Sequence, residues 1–504
     1  MKKYLLILLS LFVLWGCSSS SNQTIKSIEE AKGRNIGVLS GSFHIQYLQD
    51  NHPEINLVYF NNVSEGLMAL KNNKIDGYAT DDSMVNSFKR EYKDADYFVV
   101  KGVATEAGFI FSDRASQKLS EFNEFVKKKQ ETDYFKKIKE KWIENEYDGT
   151  EPLEYAKGSK ELNIIACSSA EPYAYIYNGQ SVGYAIQVIN DFAKEYDYEL
   201  VLNTSNLDGV LSGIASNKYD AGVEPLTKTE ERMKTLTFSD TILVSEMVII
   251  VRGDGATSAA GTNEKFIETL KNKIYRTFIE EDRYQIILNG LLTTILITTA
   301  SLLIGTALGF GVFLLSRKLK NTFKKAIDTI AYIISGLPVV VLLMILFYII
   351  FAQSKLDGKA ISIIGFSIII CFTVYGLLKT GVGAIDIGQF EAGLALGYSE
   401  NKTLFKFILP QALRIIMPSY RNEIISLIKS SSVVGYVTVE DITRASDIIR
   451  SRTYDAFFPI IVTAILYFVL SGIIVRIVDT LQKRYLPSEK TKDDILKSIK
   501  YKKQ

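Results

Sequence analysis

Apolar residues are distributed unevenly along this chain. Four stretches contain no Asp, Glu, Lys or Arg: Tyr284–Ser316 (33 residues), Thr329–Ser354 (26), Ala360–Leu378 (19) and Ala456–Val475 (20). A helix needs about 20 mainly apolar residues to cross a bilayer, so at least four spans are expected. A further span is expected over Ile415–Val439, interrupted by Arg421, Asn422, Glu423 and Lys429. Such groups are costly in lipid and must lie near an interface or face protein or water, which makes Asn422, Glu423 and Lys429 candidates for a pore or dimer axis. Ahead of residue 284 the pattern changes to short apolar runs alternating with amphipathic stretches. Strands are expected near 35–40, 57–60, 77–80, 162–166 and 199–202, with helices from Phe43, over 64–72, 118–145, 184–196 and 208–216. That alternation predicts an α/β domain with mostly parallel sheets, whose ligands sit beyond the carboxyl ends of the strands. The α/β part is followed by an all-α part of five spans.

The first 17 residues, MKKYLLILLSLFVLWGC, combine a basic start, an apolar core and a small-residue exit. This is the pattern of an export signal. It resembles a bacterial lipoprotein signal, which implies acylation of Cys17 after cleavage; bulky Trp15 leaves an uncleaved anchor as the alternative. Residues 18–32 then form a tether, and the α/β domain beyond it lies outside the cytoplasm.

Composition narrows the function. The average of 47% hydrophobic and 23% charged residues covers two different environments, and a wholly soluble protein is excluded. With Gly 33, Pro 9 and Cys 3, collagen-like, low-complexity and disulfide-scaffold readings fail. A net charge of +2 gives no support for nucleic-acid binding. His44 and His52 are the two histidines, and neither has metal-ligand spacing around it. No G-x-x-x-x-G-K-[ST] loop occurs, so ATP hydrolysis belongs elsewhere; no catalytic residue, metal or cofactor is expected on this chain.

Two resemblances organise the rest. Gly183–Ala193 (GYAIQVINDFA), Leu211–Asp220 (LSGIASNKYD), Thr227–Arg232 (TKTEER) and Leu236–Asp240 (LTFSD) are similar to the first lobe of periplasmic binding proteins for polar amino acids. Gly33–Ser42 (GRNIGVLSGS), Ala69–Asp81 (ALKNNKIDGYATD), Leu119–Phe125 (LSEFNEF) and Lys139–Trp142 (KEKW) resemble the second lobe and its tail helices. In that family the first-lobe segments come first, whereas here they come second. The resemblance therefore implies one circularly permuted two-lobed domain, with 33–150 as the second-lobe half and 151–255 as the first-lobe half. Two degenerate single-lobe domains are the alternative.

A zwitterionic amino acid requires a cation at one end and a carboxylate at the other. Arg232 offers a planar guanidinium, Thr227 and Ser42 offer hydroxyls and turn N–H groups, and Asp81 can accept ammonium hydrogens. By resemblance, Arg232 matches the carboxylate-binding Arg of the family's T-x-x-R motif and Asp81 its ammonium-binding Asp. Tyr173 is a further candidate, although Tyr173, Tyr175 and Tyr177 alternate at strand period and suit sheet packing equally. Ala170 replaces the aromatic that usually covers the ligand, Pro225 replaces a small residue and Leu207 a Phe, which leaves side-chain specificity open.

Residues 256–283 form an amphipathic linker to the membrane part, 284–487. Its most specific segment, near 387–412, resembles the cytoplasmic coupling loop of ABC importer permeases of the polar amino acid uptake class. The family's E-A-A-x-x-x-G pattern appears as Glu391-Ala392-Gly393 with Gly397, followed by Ile408-Leu409-Pro410. Ser430–Tyr436 (SSSVVGY) and Thr438–Ser446 (TVEDITRAS) extend the likeness. Glu391, Ala392, Gly397, Leu409 and Pro410 are thus the residues expected to couple to an ATPase, with Pro410 expected to stop a short helix. Gly305–Gly309 (GTALG) offers a small-xxx-small face for close helix packing.

Basic clusters after the first, third and fifth spans place the coupling loop and the 488–504 tail in the cytoplasm of a multi-pass protein of the bacterial inner or cytoplasmic membrane. Arg444, Arg450 and Arg452 conflict with that rule, since they fall in a loop assigned outside. The resemblance implies an importer permease with its capture domain in cis, a separate ABC ATP-binding subunit that uses the ATP, a permease homodimer, a small amino acid as substrate and contact with membrane lipid. The alternatives are an amino-acid-sensing receptor without transport, and an importer whose fused domain no longer binds ligand.

Overall fold

The computed structural model describes residues 24–145, 152–253, 271–453, 455 and 457–485. Cys17, the tail 488–504 and most of the linker lie outside the described residues. Two compact units divide the chain, one built from residues up to 103 with 246–259, the other from 104–245 with 260 onward.

In the first unit, β1 (Asn35–Leu39) runs parallel to both β2 (Asn56–Phe60) and β3 (Gly77–Asp81), with Ile36 opposite Leu57 on one side and Gly77 on the other. The crossovers are α1 (Phe43–Asn51) and α2 (Val63–Lys71). Asn62 caps α2 by accepting the Glu65 N–H at 2.9 Å, which satisfies one of the amides a helix start leaves unpaired. After β3 comes α3 (Val85–Glu91). Strand β12 (Leu243–Arg252) returns antiparallel along β3, from Met247 opposite Asp81 to Val251 opposite Gly77. Alternate residues Ile36, Val38, Ile249 and Val251 point into one core with Leu48.

The α/β portion of the second unit carries the end of β4 (Ala95–Phe111), then β5 (Lys160–Cys167), β9 (Tyr198–Ser205) and β10 (Ala221–Thr227). β10 is antiparallel to β4 and parallel to β5, and β5 is parallel to β9 from Lys160 opposite Tyr198 to Cys167 opposite Ser205. A small separate sheet joins β6 (Ser169–Ala170), β7 (Ala174–Tyr177) and β8 (Gln180–Val182). Helices α4 (Ser116–Gln130) and α5 (Tyr134–Lys139) pack on α6 (Tyr184–Glu195). Phe122 meets Phe192 edge-on at 5.2 Å, the Tyr134 hydroxyl donates to Asp191 at 2.9 Å, and the Trp142 indole N–H donates to Gln187 at 3.2 Å. α7 (Leu207–Ala215), the short α8 (Glu230–Met233) and β11 (Thr237–Phe238), antiparallel to β4, complete this portion. Strands β4 and β12 are not among those the sequence pattern predicts. In β4, Gly102 at φ +80° and the charges Lys101 and Glu106 break the alternation.

The helical portion begins with α9 (Tyr284–Lys318), α10 (Asn321–Gly336) and α11 (Val339–Ile345), which continues to Ile350. It goes on through α12 (Gly358–Gly383), α13 (Ile387–Ala395), α14 (Glu400–Thr403), α15 (Leu409–Ser430), α16 (Ile442–Thr453) and α17 (Phe457–Tyr485). Among the described residues α9, α12 and α17 are each long and apolar enough to cross a membrane. The pair α10 and α11 makes a fourth crossing if counted as one span, bent by 107° at Leu337-Pro338. Proline cannot continue a helix without losing a backbone bond, which accounts for the break. α15 is not in that group, because Arg414, Arg421, Glu423 and Lys429 run along it.

The GTALG face is used as its spacing suggests. A Cβ on Gly305 would lie 2.6 Å from Ile370 Cβ, and one on Gly309 would lie 2.4 Å from the Cys371 carbonyl oxygen. Glycine alone lets α9 and α12 approach that closely. Pro410 does not stop a short helix. It sits at the start of α15, directly after a π-helical turn, Leu404–Ile408, that runs on from α14, so the helix continues through it.

Candidate functional site

In the first unit, β1 ends in a turn with Gly41 at φ +75°, and Ser42 is the N-cap residue of α1. Its side chain makes no cap bond, and its Oγ is buried without a hydrogen-bond partner. One helical residue on, His44 is buried with Nε2 3.5 Å from Asp81 Oδ1 at the end of β3. The strand end and the helix start thus bring His44 and Asp81 together. His44 carries no motif of its own in the sequence, and only the fold shows it facing a carboxylate.

In the second unit, Thr227 ends β10 and Thr229 caps α8, accepting the Arg232 N–H at 3.2 Å. The half-buried Arg232 guanidinium donates to the Thr227 carbonyl at 3.0 Å, so backbone and cap hold it at the carboxyl end of the strand. Burial lowers the Arg232 pKa, since it disfavours the cation. Tyr173 is buried, with its N–H on the Ala170 carbonyl at 2.7 Å. Gly183 lies against that turn at φ +126°, and a Cβ there would be 2.3 Å from the Tyr173 oxygen. Tyr175 and Tyr177 instead take the Arg452 guanidinium over their rings, at 4.9 and 5.5 Å.

Glu224, on β10, was not singled out by motif. The residue is half-buried, yet its Oε2 is out of contact with water and lacks a hydrogen-bond partner. Burial pushes its carboxyl up to about 8, although the Cys167 N–H works the other way.

The segment after α12 is built by caps and glycines. Asp386 accepts the Gly388 N–H at 2.7 Å to start α13. Glu391 and Ala392 are exposed on it. Gly393 is buried, and a Cβ there would lie 2.5 Å from Thr403 Cγ2, which explains why Gly stands where the resembled pattern has Ala. Gly397 takes φ +83° and turns the chain into α14, whose cap is Ser399. Leu409 is buried beneath the start of α15. Ile387 and Leu396 remain 68% and 75% exposed. On α15, Asn422 and Lys429 are exposed and Glu423 is half-buried, while neighbouring Arg421 reaches Asp479 on α17 at 3.5 Å.

At the opposite end of the helices, the 104–245 portion meets the bundle. A cavity of about 560 Å³ lies there, lined by Asn203, Thr204, Asn289, Thr293, Lys359 and Glu440 among others. Among the described residues no cluster of His, Cys, Asp or Glu could hold a metal ion.

Close-packed apolar helices with a glycine-turned segment at one end are the frame of a membrane permease, here joined to an α/β portion. The chain belongs to the family of the binding-protein-dependent transport system inner membrane component, whose model matches residues 301–486. It is 30% identical over 207 residues to the putative glutamine transport system permease protein GlnP of Rickettsia bellii, covering 40% of this chain and 94% of that protein. Among solved structures it is similar to an amino acid ABC transporter with histidines, at 28% identity and a TM-score of 0.38, covering 41% of this chain and 98% of that one. It is also similar to a phosphate-binding protein of a phosphate ABC transporter from Streptococcus pneumoniae, at 15% identity and a TM-score of 0.25, over 45% and 90% of the two chains.

Proposed function

We propose that this chain is the permease of an ATP-driven importer of a polar amino acid, with a circularly permuted capture domain fused to it. The observation that carries the reading is the α13–α14 segment, where exposed Glu391 and Ala392 precede the turn at Gly397. A separate ATP-binding subunit docks on that segment and supplies the hydrolysis. Two copies of the chain form the pathway, lined in part by Asn422, Glu423 and Lys429 of α15. The amino acid's carboxylate is taken by Arg232 and Thr227, its ammonium group by Asp81, with Ser42 and Tyr173 completing the site. The capture domain is extracytoplasmic, the coupling segment cytoplasmic, and Cys17 carries a lipid.

Thermal unfolding of the full chain in nanodiscs, titrated with the common amino acids, tests this. Ligand that binds only the folded state raises stability by about 2.7 kcal/mol at a hundredfold excess over Kd. One amino acid or a close set should raise the midpoint, and R232A and D81A should each remove the shift. If no amino acid moves the midpoint at millimolar concentration, the substrate assignment fails.

A further inference from the structure

Two of the three arginines that contradict the expected charge distribution, Arg444 and Arg452, lie at the junction between the α/β portion of the second unit and the helices. Arg444 on α16 is 8% exposed and donates to Ser168 Oγ at 2.6 Å and to the Ser205 carbonyl at 2.5 Å. Asp441 holds its backbone, capping α16 at 2.9 Å and accepting the Tyr467 hydroxyl at 2.8 Å. Two turns further on, Arg452 is 7% exposed and pairs with Glu171, beside the β6–β7 turn, and with Glu281 at 2.8 Å ahead of α9. Glu281 is held in turn by Arg283 at 2.9 Å. Burial alone would disfavour the Arg452 cation, but Glu171 and Glu281 outweigh it and raise its pKa.

Further bonds cross the same junction. Thr204 donates to Glu440 at 2.9 Å, the Tyr348 hydroxyl reaches the Gly209 carbonyl at 3.3 Å, and Lys218 reaches the Phe351 carbonyl at 3.3 Å. Apolar contact is continuous with them: Val210, Ile214 and Leu226 share one buried cluster with Leu346, Phe347, Val434 and Val437.

We propose that residues 152–245 are a permanently docked part of the permease, so that ligand-driven movement is confined to the other unit. A surface that releases and rebinds keeps its charges at a wet rim, where separation costs little. Here separation would leave Glu171 without Arg452, Arg444 without its oxygen partners, and a shared apolar core open to water. The docking stands on these contacts; its link to ligand rests on the importer reading.

Pulsed electron–electron distance measurements on the full chain in nanodiscs test it. Labels at K194C on α6 and Q353C, both outside the buried core, report the docked geometry, and the native Cys167 and Cys371 are buried. With labelled chain diluted into excess unlabelled chain, so that each assembly carries one labelled copy, one narrow distance is expected, unchanged by a mixture of amino acids. A broad distribution, or a second distance whose share changes with amino acid, would overturn the proposal. The R452Q variant should broaden the distribution; should it fail to fold, T204V combined with E440Q tests the same junction. A distribution left narrow in the variant that folds would show that these bonds do not hold the portion in place. Thermal titration with amino acids reads ligand binding independently, so a failed substrate assignment and a failed docking are told apart.

Discussion

The two ends of the helix bundle are finished in opposite ways. Where the bundle meets the α/β portion, charge is buried and answered within the chain: Arg444 by Ser168 and Ser205, Arg452 by Glu171 and Glu281. At the other end Glu391 and Ala392 are exposed, and Ile387 and Leu396 present large apolar side chains to solvent. A buried ion pair stabilises only while all its partners stay in place, whereas an exposed apolar helix gains by being covered. The first end is a completed interface, the second an incomplete one.

The largest effect should come from breaking the completed end. Arg452→Ala leaves Glu171 without its buried guanidinium and Glu281 with Arg283 alone, and the expected loss is about 3–5 kcal/mol, read as a lower unfolding midpoint of the purified chain. An unchanged midpoint would mean that the junction contributes nothing to stability. Between the ends, Gly309→Val forces α9 off the Cys371 carbonyl and should cost about 1–3 kcal/mol. Gly311, with open space around it, should accept Ala without loss.

A smaller effect is expected in the pH profile. Folding raises the Glu224 pKa from 4.5 to about 8 through burial. The folded state therefore binds this proton more tightly, and the contribution is complete at pH below 4.5 and lost as pH rises through about 8. Glu224→Gln should flatten the decline in midpoint across that window; parallel profiles for the two proteins would contradict the assignment. The smallest stability effect belongs to the incomplete end. Glu391→Ala should change stability by no more than about 0.5 kcal/mol, since the side chain is exposed. It should still weaken stimulation of the ATP-binding subunit, and full stimulation in the variant would remove Glu391 from the coupling surface.

The incomplete end was largely legible in sequence because its determinants are local. Gly393, Gly397 and Ser399 act on turns and caps within ten residues of one another, and local spacing is what a motif records. GTALG is likewise a local pattern whose partner, α12, is long and apolar enough to be foreseen. Pro410 shows the limit, since a proline ends one helix or begins the next with equal ease and only the continuing chain decides. The completed end was not legible. Arg452 lies 281 residues from Glu171 and Arg444 lies 276 from Ser168, so the sequence displayed the charges as violations of a membrane rule and gave no sign of their partners. The same holds for His44 with Asp81, which meet only because β1 and β3 are neighbours.

Gly358 opens α12 with its α-carbon so near the Val437 carbonyl that an added methyl would sit 2.0 Å from that oxygen. The helix then runs 26 residues to Gly383, next to the coupling segment, a rod of about 39 Å at 1.5 Å per residue. The rod is gripped at its other end as well, where a Cβ on Gly381 would lie 2.4 Å from Ile416 Cγ2 of α15. A displacement of about 2 Å at the α13 end would turn it by only about 3° while leaving the Gly358 end almost still. A tilt of even that size would have to be shared by α15 through the Gly381 contact and by α9 through Gly309, so the three helices can turn only together.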